Sequence, residues 1–155
     1  MELKLEKVNA HEFIKEISDK FESTKERVSL SYNDNLKKNV FVKLDKFHFN
    51  NAILNLLENA DKYSKSETMI NIELNSKKNN LQIKISDNGI GISKNDQQKI
   101  FETFYRVQTG NIHDIKGYGI GLSYVKKIIE SHNGQISVES KLNVGTTFII
   151  ELPYD

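Results

Sequence analysis

The sequence contains no cysteine. That excludes disulfides, thiolate metal sites and a cysteine nucleophile. An excess of charge of one sign is also nearly missing: 22 lysines and arginines stand against 21 aspartates and glutamates, a net charge of +1 at pH 7. Such a balance gives no support for a nucleic acid or an anionic membrane as partner. Apolar runs are short, and none approaches the roughly 20 residues of a membrane-spanning helix. The amino-terminal MELKLEKVNA alternates polar and apolar residues and lacks the apolar stretch of a secretory leader. There is no repeat and no low-complexity linker. The chain reads as soluble, and its 155 residues fit a single domain over 1–155. A hydrophobic fraction of 37% and a charged fraction of 28% are those of an ordinary globular chain.

What is present is an exchange of two periodicities. LKLEKVNA predicts a short strand. Phe13, Ile14, Ile17 and Phe21 recur at helical spacing and predict a helix over 11–26. VSLSYN and VFVKLD alternate around the polar DNLKKN, which predicts a hairpin. A helix over 46–63 would bury Phe49, Ile53, Leu56 and Ala60. MINIELN and LQIKISD alternate again around SKKNN. Ser93 can cap a helix running to about Phe104. Residues 106–118 have no period and read as a loop. A helix over 120–133 would turn Ile120, Tyr124, Ile128 and Ile129 inward, and QISVES and GTTFIIELP close the chain as strands. The mixture predicts a two-layer α/β sandwich of the α+β kind, with helices on one face of a mixed sheet.

One helix is chemically odd. NLLENADKYS places Asn55 and Asn59 one turn apart, although asparagine is a poor helix former. Asn51, Asn55, Glu58, Asn59 and Lys62 fall within one stripe opposite the apolar side. A solvated face of a core helix would account for them. So would a hard cation, since Mg²⁺ takes oxygen ligands and few protein groups. In that case Lys62 can reach a phosphate.

Two glycine elements follow. In DNGIGI, Gly89 and Gly91 permit positive φ and close approach of a flat ligand, and Asp87 offers an acceptor for an exocyclic amine. A plain Asn-Gly turn has the same look. KGYGIGLSYVKK sets Gly117, Gly119 and Gly121 around a helix start, where free N–H groups and the helix dipole favour a phosphate. It is neither a P-loop nor a dinucleotide fingerprint. GTTF at 145–148 says little alone. The order of all these elements is more specific than any one of them.

That order resembles the catalytic and ATP-binding domain of bacterial sensor histidine kinases, in the superfamily shared with gyrase B, Hsp90 and MutL ATPases. NLLENADKYS resembles the N box (51–64) and DNGIGI the G1 box (87–92). FETFYR resembles the F box (101–106), GYGIGL the G2 box (117–122), and GTTF the final Gly-Thr element. The resemblance covers essentially the whole chain. It implies the Bergerat fold: a mixed sheet of about five strands with three helices on one face. It also implies an ATP lid over 106–118, with Phe101 and Phe104 anchoring one end of it in the core.

The resemblance further implies roles. Asn59 would bind Mg²⁺, with Asn55 supporting it through water. Lys62 would contact phosphate, and Tyr63 would lie against adenine or ribose. Asp87 would accept from the adenine amine, with Gly89, Gly91, Ile92 and Thr146 lining the base. Gly117, Tyr118, Gly119, Gly121 and Leu122 would cradle the phosphates, and Arg106 and Lys116 would reach the terminal ones. Gyrase-like relatives carry Glu where this chain has Asn55, so weak ATP hydrolysis is expected. Glu58 is a candidate water-orienting group. The implied function is transfer of the γ-phosphoryl group of Mg-ATP to a histidine on a separate dimerisation and phosphoacceptor hairpin, in a two-component system. The alternatives are a stand-alone anti-sigma-type serine kinase and a nucleotide-sensing module without transfer.

None of the four histidines suits an acceptor. His11 is followed by Glu12 but lacks a Thr-Pro tail and reads as surface. His48 opens a helix, His113 lies in the expected lid, and His132 ends a helix, where a charged imidazole suits the dipole. The expected partners are therefore an acceptor hairpin outside this chain and, indirectly, a response regulator. The domain alone is expected to be monomeric. The whole kinase is expected to be a homodimer, with this part on the cytoplasmic side of a membrane-anchored sensor.

Overall fold

The computed structural model describes residues 2–64, 66–103, 105 and 121–154. Phe104, Ile120, His113 and the whole lid expected at 106–118 lie outside the described residues.

The chain opens with β1 (Glu6–Asn9) and α1 (Ala10–Ser23). Asn9 caps that helix, its side chain accepting from the Glu12 N–H at 3.2 Å. There follow β2 (Val28–Asp34), β3 (Phe41–Leu44), α2 (Lys46–Lys62), β4 (Thr68–Lys77) and β5 (Asn80–Asp87). The short α3 (Lys94–Gln97), α4 (Gly121–Ser131), β6 (Gln135–Lys141) and β7 (Gly145–Pro153) complete the described elements. Five strands form one mixed sheet in the order β2-β4-β5-β7-β6. The helix α1 packs on β2, α2 on β4 and β5, and α4 on β6, so the expected two-layer sandwich is present.

The expected hairpin between β2 and β3 is not formed. Instead β2 runs parallel to β4, and β3 pairs antiparallel with β1 in a separate two-stranded ribbon. A parallel pair needs a long crossover, which α2 supplies. The connection between β2 and β3 is held locally by other partners. The Asn35 N–H donates to the Leu74 carbonyl at 2.9 Å. His11 touches the Asp34 carboxylate through Nδ1 and lies 3.0 Å from the Lys38 carbonyl through Nε2. Alternation identified both strands, and these non-local bonds chose their partners.

A second difference concerns residues 94–103. Ser93 caps as expected, but α3 is one turn long. Beyond it the bonds run three residues back, Lys99 N–H to Asp96, Glu102 N–H to Lys99 and Tyr105 N–H to Glu102. These successive tight turns bring the adjacent Ile100 and Phe101 both onto the core, Phe101 edge-on to Phe148 with ring centres 6.2 Å apart. The Asp96 carboxylate takes the hydroxyls of Ser93 and Tyr105, which ties the end of this segment to its start.

Packing decides the fate of α2. Phe49, Ala52, Ile53, Leu56, Leu57 and Ala60 are buried. Each large apolar side chain contributes roughly 1.5–3 kcal/mol on burial. The propensity penalty of an asparagine is about 0.7 kcal/mol at most. Asn51, Asn55 and Asn59 are therefore carried by a helix whose other face would fold regardless.

Candidate functional site

The sheet face under the helices is built of cross-strand rows. One row reads Leu74, Ile83, Ile150, Ile136, and the next Ile72, Ile85, Phe148, Val138. The row after that reads Ile70, Asp87, Thr146, Ser140. Apolar packing stops there, and a polar rim begins at one end of the sheet.

Asp87 is half-buried in that row. Its Oδ1 accepts from the Gly89 N–H at 2.8 Å and the Thr146 N–H at 3.3 Å. Its Oδ2 has no partner among the described residues. Burial pushes the carboxyl above its ordinary value of 3.8, against the two N–H bonds that pull it down. A half-buried carboxylate with one oxygen fixed and one free is suited to accept from a ligand donor.

The turn after Asp87 is locked from both sides. The Ile90 N–H donates to the Tyr63 carbonyl at 3.0 Å, and the Ile90 carbonyl accepts from the Asn143 N–H at 2.8 Å. Gly91 has φ +76, where a side chain is strained. Gly89 serves differently from expectation. Its φ is not positive, but a Cβ there would stand 2.8 Å from the Tyr63 carbonyl. The close approach joins the turn to the end of α2.

On α2, Asp45 is the N-cap, accepting from the N–H of His48 at 3.0 Å and that of Lys4 at 2.8 Å. Those bonds hold its carboxyl below the usual range. Asn51, Asn55 and Asn59 are half-buried, and Glu58 and Lys62 are exposed. Asn55 donates through Nδ2 to the Asn51 carbonyl at 2.8 Å. Its Oδ1 is turned to the first residue of α4, 3.2 Å from where a Cβ on Gly121 would stand. The Asn59 carboxamide bonds to no described residue. Glu58 is ion-paired with Lys25 at 2.9 Å, and this pair competes with the water-orienting role considered for it.

Three contacts thus bring the expected residues together. Tyr63 meets Gly89 and Ile90, Asp87 meets Thr146, and Asn55 meets Gly121. Ile92, Leu122 and Lys62 sit on the same segments. Arg106, Lys116, Gly117, Tyr118 and Gly119 lie outside the described residues.

Sequence reasoning missed Ser140 and Lys25. Ser140 was signalled by the apolar series Ile136, Val138 ending on a serine. Lys25 lies in a turn, and nothing in its neighbourhood pointed to Glu58. The expectation of a charged His132 is corrected. Its Nε2 accepts from the Asp45 N–H at 3.0 Å, which requires that nitrogen to be bare. Its Nδ1 donates to the Ile128 carbonyl at 2.7 Å, so a neutral imidazole closes the last turn of α4.

Fold and rim together define the class: an α/β sandwich of the ATPase type, with an asparagine helix and a glycine turn at one end of the sheet. The chain belongs to the family described as histidine kinase-, DNA gyrase B-, and HSP90-like ATPase, which matches residues 44–155. It is 46% identical to sensor protein RprX of Bacteroides fragilis (strain YCH46) over 97% of this chain and 30% of that protein. It is 34% identical to sensor histidine kinase WalK of Bacillus subtilis (strain 168) over 92% of this chain and 24% of that protein. The nucleotide-free catalytic domain of histidine kinase ThkA superposes with a TM-score of 0.81 at 27% identity, covering 97% of this chain and 96% of that one. The chain therefore spans under a third of the curated relatives it matches, and it is a histidine kinase-type ATPase domain.

Proposed function

We propose that this domain binds ATP with Mg²⁺ and donates the γ-phosphoryl group to a histidine on a separate helical hairpin of the same kinase. The supporting observation is that a carboxamide, Asn55, faces the start of α4, while the nearby Glu58 is held by Lys25. The described N-box residues thus offer oxygen ligands at that end and no unpaired carboxylate to activate water. Transfer is favoured over hydrolysis.

The donor set fits the ligands. Asp87 accepts the adenine amine through Oδ2, with Gly89, Gly91, Ile92 and Thr146 along the base and Tyr63 beside it. Asn59 holds Mg²⁺, and Asn55 supports it through water. When bound, the ion neutralises phosphate charge. Lys62 contacts phosphate. Gly117, Tyr118, Gly119, Gly121 and Leu122 cradle the chain of phosphates, and Arg106 and Lys116 take the terminal groups. The protein's contribution is positioning and charge compensation, the chief needs of phosphoryl transfer.

The acceptor hairpin and a response regulator are the proposed partners. Histidine kinase ThkA has been solved in complex with the response regulator protein TrrA. We place the domain on the cytoplasmic side of a homodimeric sensor. No helix among the described residues is long and apolar enough to cross a membrane.

Incubation of this chain with γ-labelled ATP tests the proposal. The chain alone is expected to acquire almost no acid-labile phosphate. Adding the acceptor hairpin of the same kinase at high concentration should label the hairpin. Replacing His11 and His48 with Gln should change neither result. Strong self-labelling lost with either replacement would place the acceptor within this chain.

A further inference from the structure

Ser140 has three polar neighbours. Its Oγ lies 2.8 Å from the Ile92 N–H, 2.9 Å from the Gly145 carbonyl and 2.7 Å from Thr146 Oγ1. It stands opposite Thr146 in the polar row, and Thr146 stands opposite Asp87. The backbone around it is fixed as well. The Gln97 side chain donates to the Ile92 carbonyl at 2.7 Å and the Ser140 carbonyl at 3.1 Å.

Hydroxyl protons can be assigned by counting. A serine hydroxyl has one proton to give and two lone pairs. The Ile92 N–H can only donate to it, and the Gly145 carbonyl can only accept from it. If Ser140 gives its proton to Gly145, Thr146 gives its own to Ser140 and all three contacts are hydrogen bonds. If Ser140 gives its proton to Thr146, Gly145 loses that bond and only two remain. The first arrangement makes one more bond among groups that are largely shielded, Thr146 being 7% exposed.

The consequence falls on Thr146. Its proton is spent on Ser140, so its oxygen offers only lone pairs to anything else. Beside it Asp87 offers only Oδ2, another acceptor. From the shared row of Asp87, Thr146 and Ser140 we infer that Ser140 is a positioning residue for base selection. By taking the Thr146 proton, it keeps this wall of the pocket free of donors. Set against position 6 of a purine, such a wall matches an amine there and opposes a keto oxygen there. The inference rests on the proposal that the base of a nucleotide lies against Asp87.

Calorimetric titration with ADP and with inosine diphosphate, which has a keto oxygen in place of the amine, tests it. The parent should prefer ADP. Ser140→Ala frees the Thr146 proton to turn toward the base. The ADP preference should then fall by about 2- to 10-fold, the size of one net hydrogen bond. Ser140→Thr keeps the hydroxyl and should retain the preference. Ser140→Cys keeps a similar shape with a sulfur that accepts hydrogen bonds only weakly, and should lose it as the alanine variant does, which secures the test if alanine impairs folding. A Ser140→Ala or Ser140→Cys variant that weakens both ligands equally, leaving the ratio intact, overturns the role of Ser140 alone. A parent that binds the two alike, or neither, overturns the nucleotide reading and this inference with it.

Discussion

Asp45 donates its backbone N–H to Nε2 of His132 at 3.0 Å, across 87 positions of sequence. The start of α2 is thereby joined to the end of α4, the two helices that meet again at Asn55 and Gly121. His132 is buried, edge-on to Phe49 with ring centres 5.4 Å apart. His132→Ala would strand the Asp45 N–H, remove the side-chain bond to the Ile128 carbonyl, which keeps the backbone N–H of residue 132 at 3.2 Å, and leave a void beside Phe49. The expected cost is about 2–4 kcal/mol, read from urea unfolding. A loss below about 1 kcal/mol would show that water replaces both bonds.

Asp87→Asn separates binding from folding. The amide oxygen can still accept from Gly89 and Thr146, but the amide nitrogen then meets the adenine amine, donor against donor. ADP affinity should drop by about 10- to 150-fold, as for loss of a charged hydrogen bond. Stability should hold or rise. Because burial raises the Asp87 carboxyl in the folded state, its contribution is fullest below 3.8 and is lost as pH climbs through the raised value. The stability gap between parent and variant should therefore narrow on acidification from about pH 7 to 4. Urea midpoints across that range that stay parallel would refute the burial argument.

Asn59→Leu should leave the fold unchanged, since its carboxamide has no described partner to lose. The part of nucleotide affinity that depends on Mg²⁺ should vanish, while Asn59→Asp should keep it. Titrations with and without Mg²⁺ that respond as in the parent would assign the metal to another residue.

Gly121→Ala opposes helix propensity to site geometry. Alanine favours a helix by up to about 1 kcal/mol over glycine, less near an end. The added methyl would crowd Asn55 Oδ1 at 3.2 Å. The melting temperature should stay level or rise as ADP-Mg²⁺ affinity falls by about tenfold. Unchanged affinity would mean that Asn55 yields without loss, and so is not a ligand support.

Much of this architecture was legible in the chain because periodicity reports burial. Phe49, Ile53, Leu56 and Ala60 announced α2, and the break at Asp87 announced the end of β5. Periodicity does not report partners. Val28–Asp34 alternates equally well beside β3 or β4, and the choice came from long-range bonds such as Asn35 to Leu74. The protonation of His132 was hidden for the same reason, since Asp45 is distant in sequence. Ser140 was overlooked because a serine on an edge strand is commonplace, and its meaning depends on the residue across the ladder.

The polar row occupies the rim of the sheet, and this separates what can drift in sequence from what cannot. Asp87 and Thr146 are held in place by the ladder of backbone bonds beneath them, which is indifferent to which aliphatic side chain each strand carries. Swaps among Ile, Leu and Val at Ile72, Ile83, Ile85 or Ile150 that keep volume cost less than about 1.5 kcal/mol each. They would leave the rim where it stands. Interior rows can thus be rewritten by mutation over long divergence, one tolerable step at a time, with the polar rim unmoved. That is how a chain sharing only 27% of its residues with the ThkA domain can superpose on it with a TM-score of 0.81.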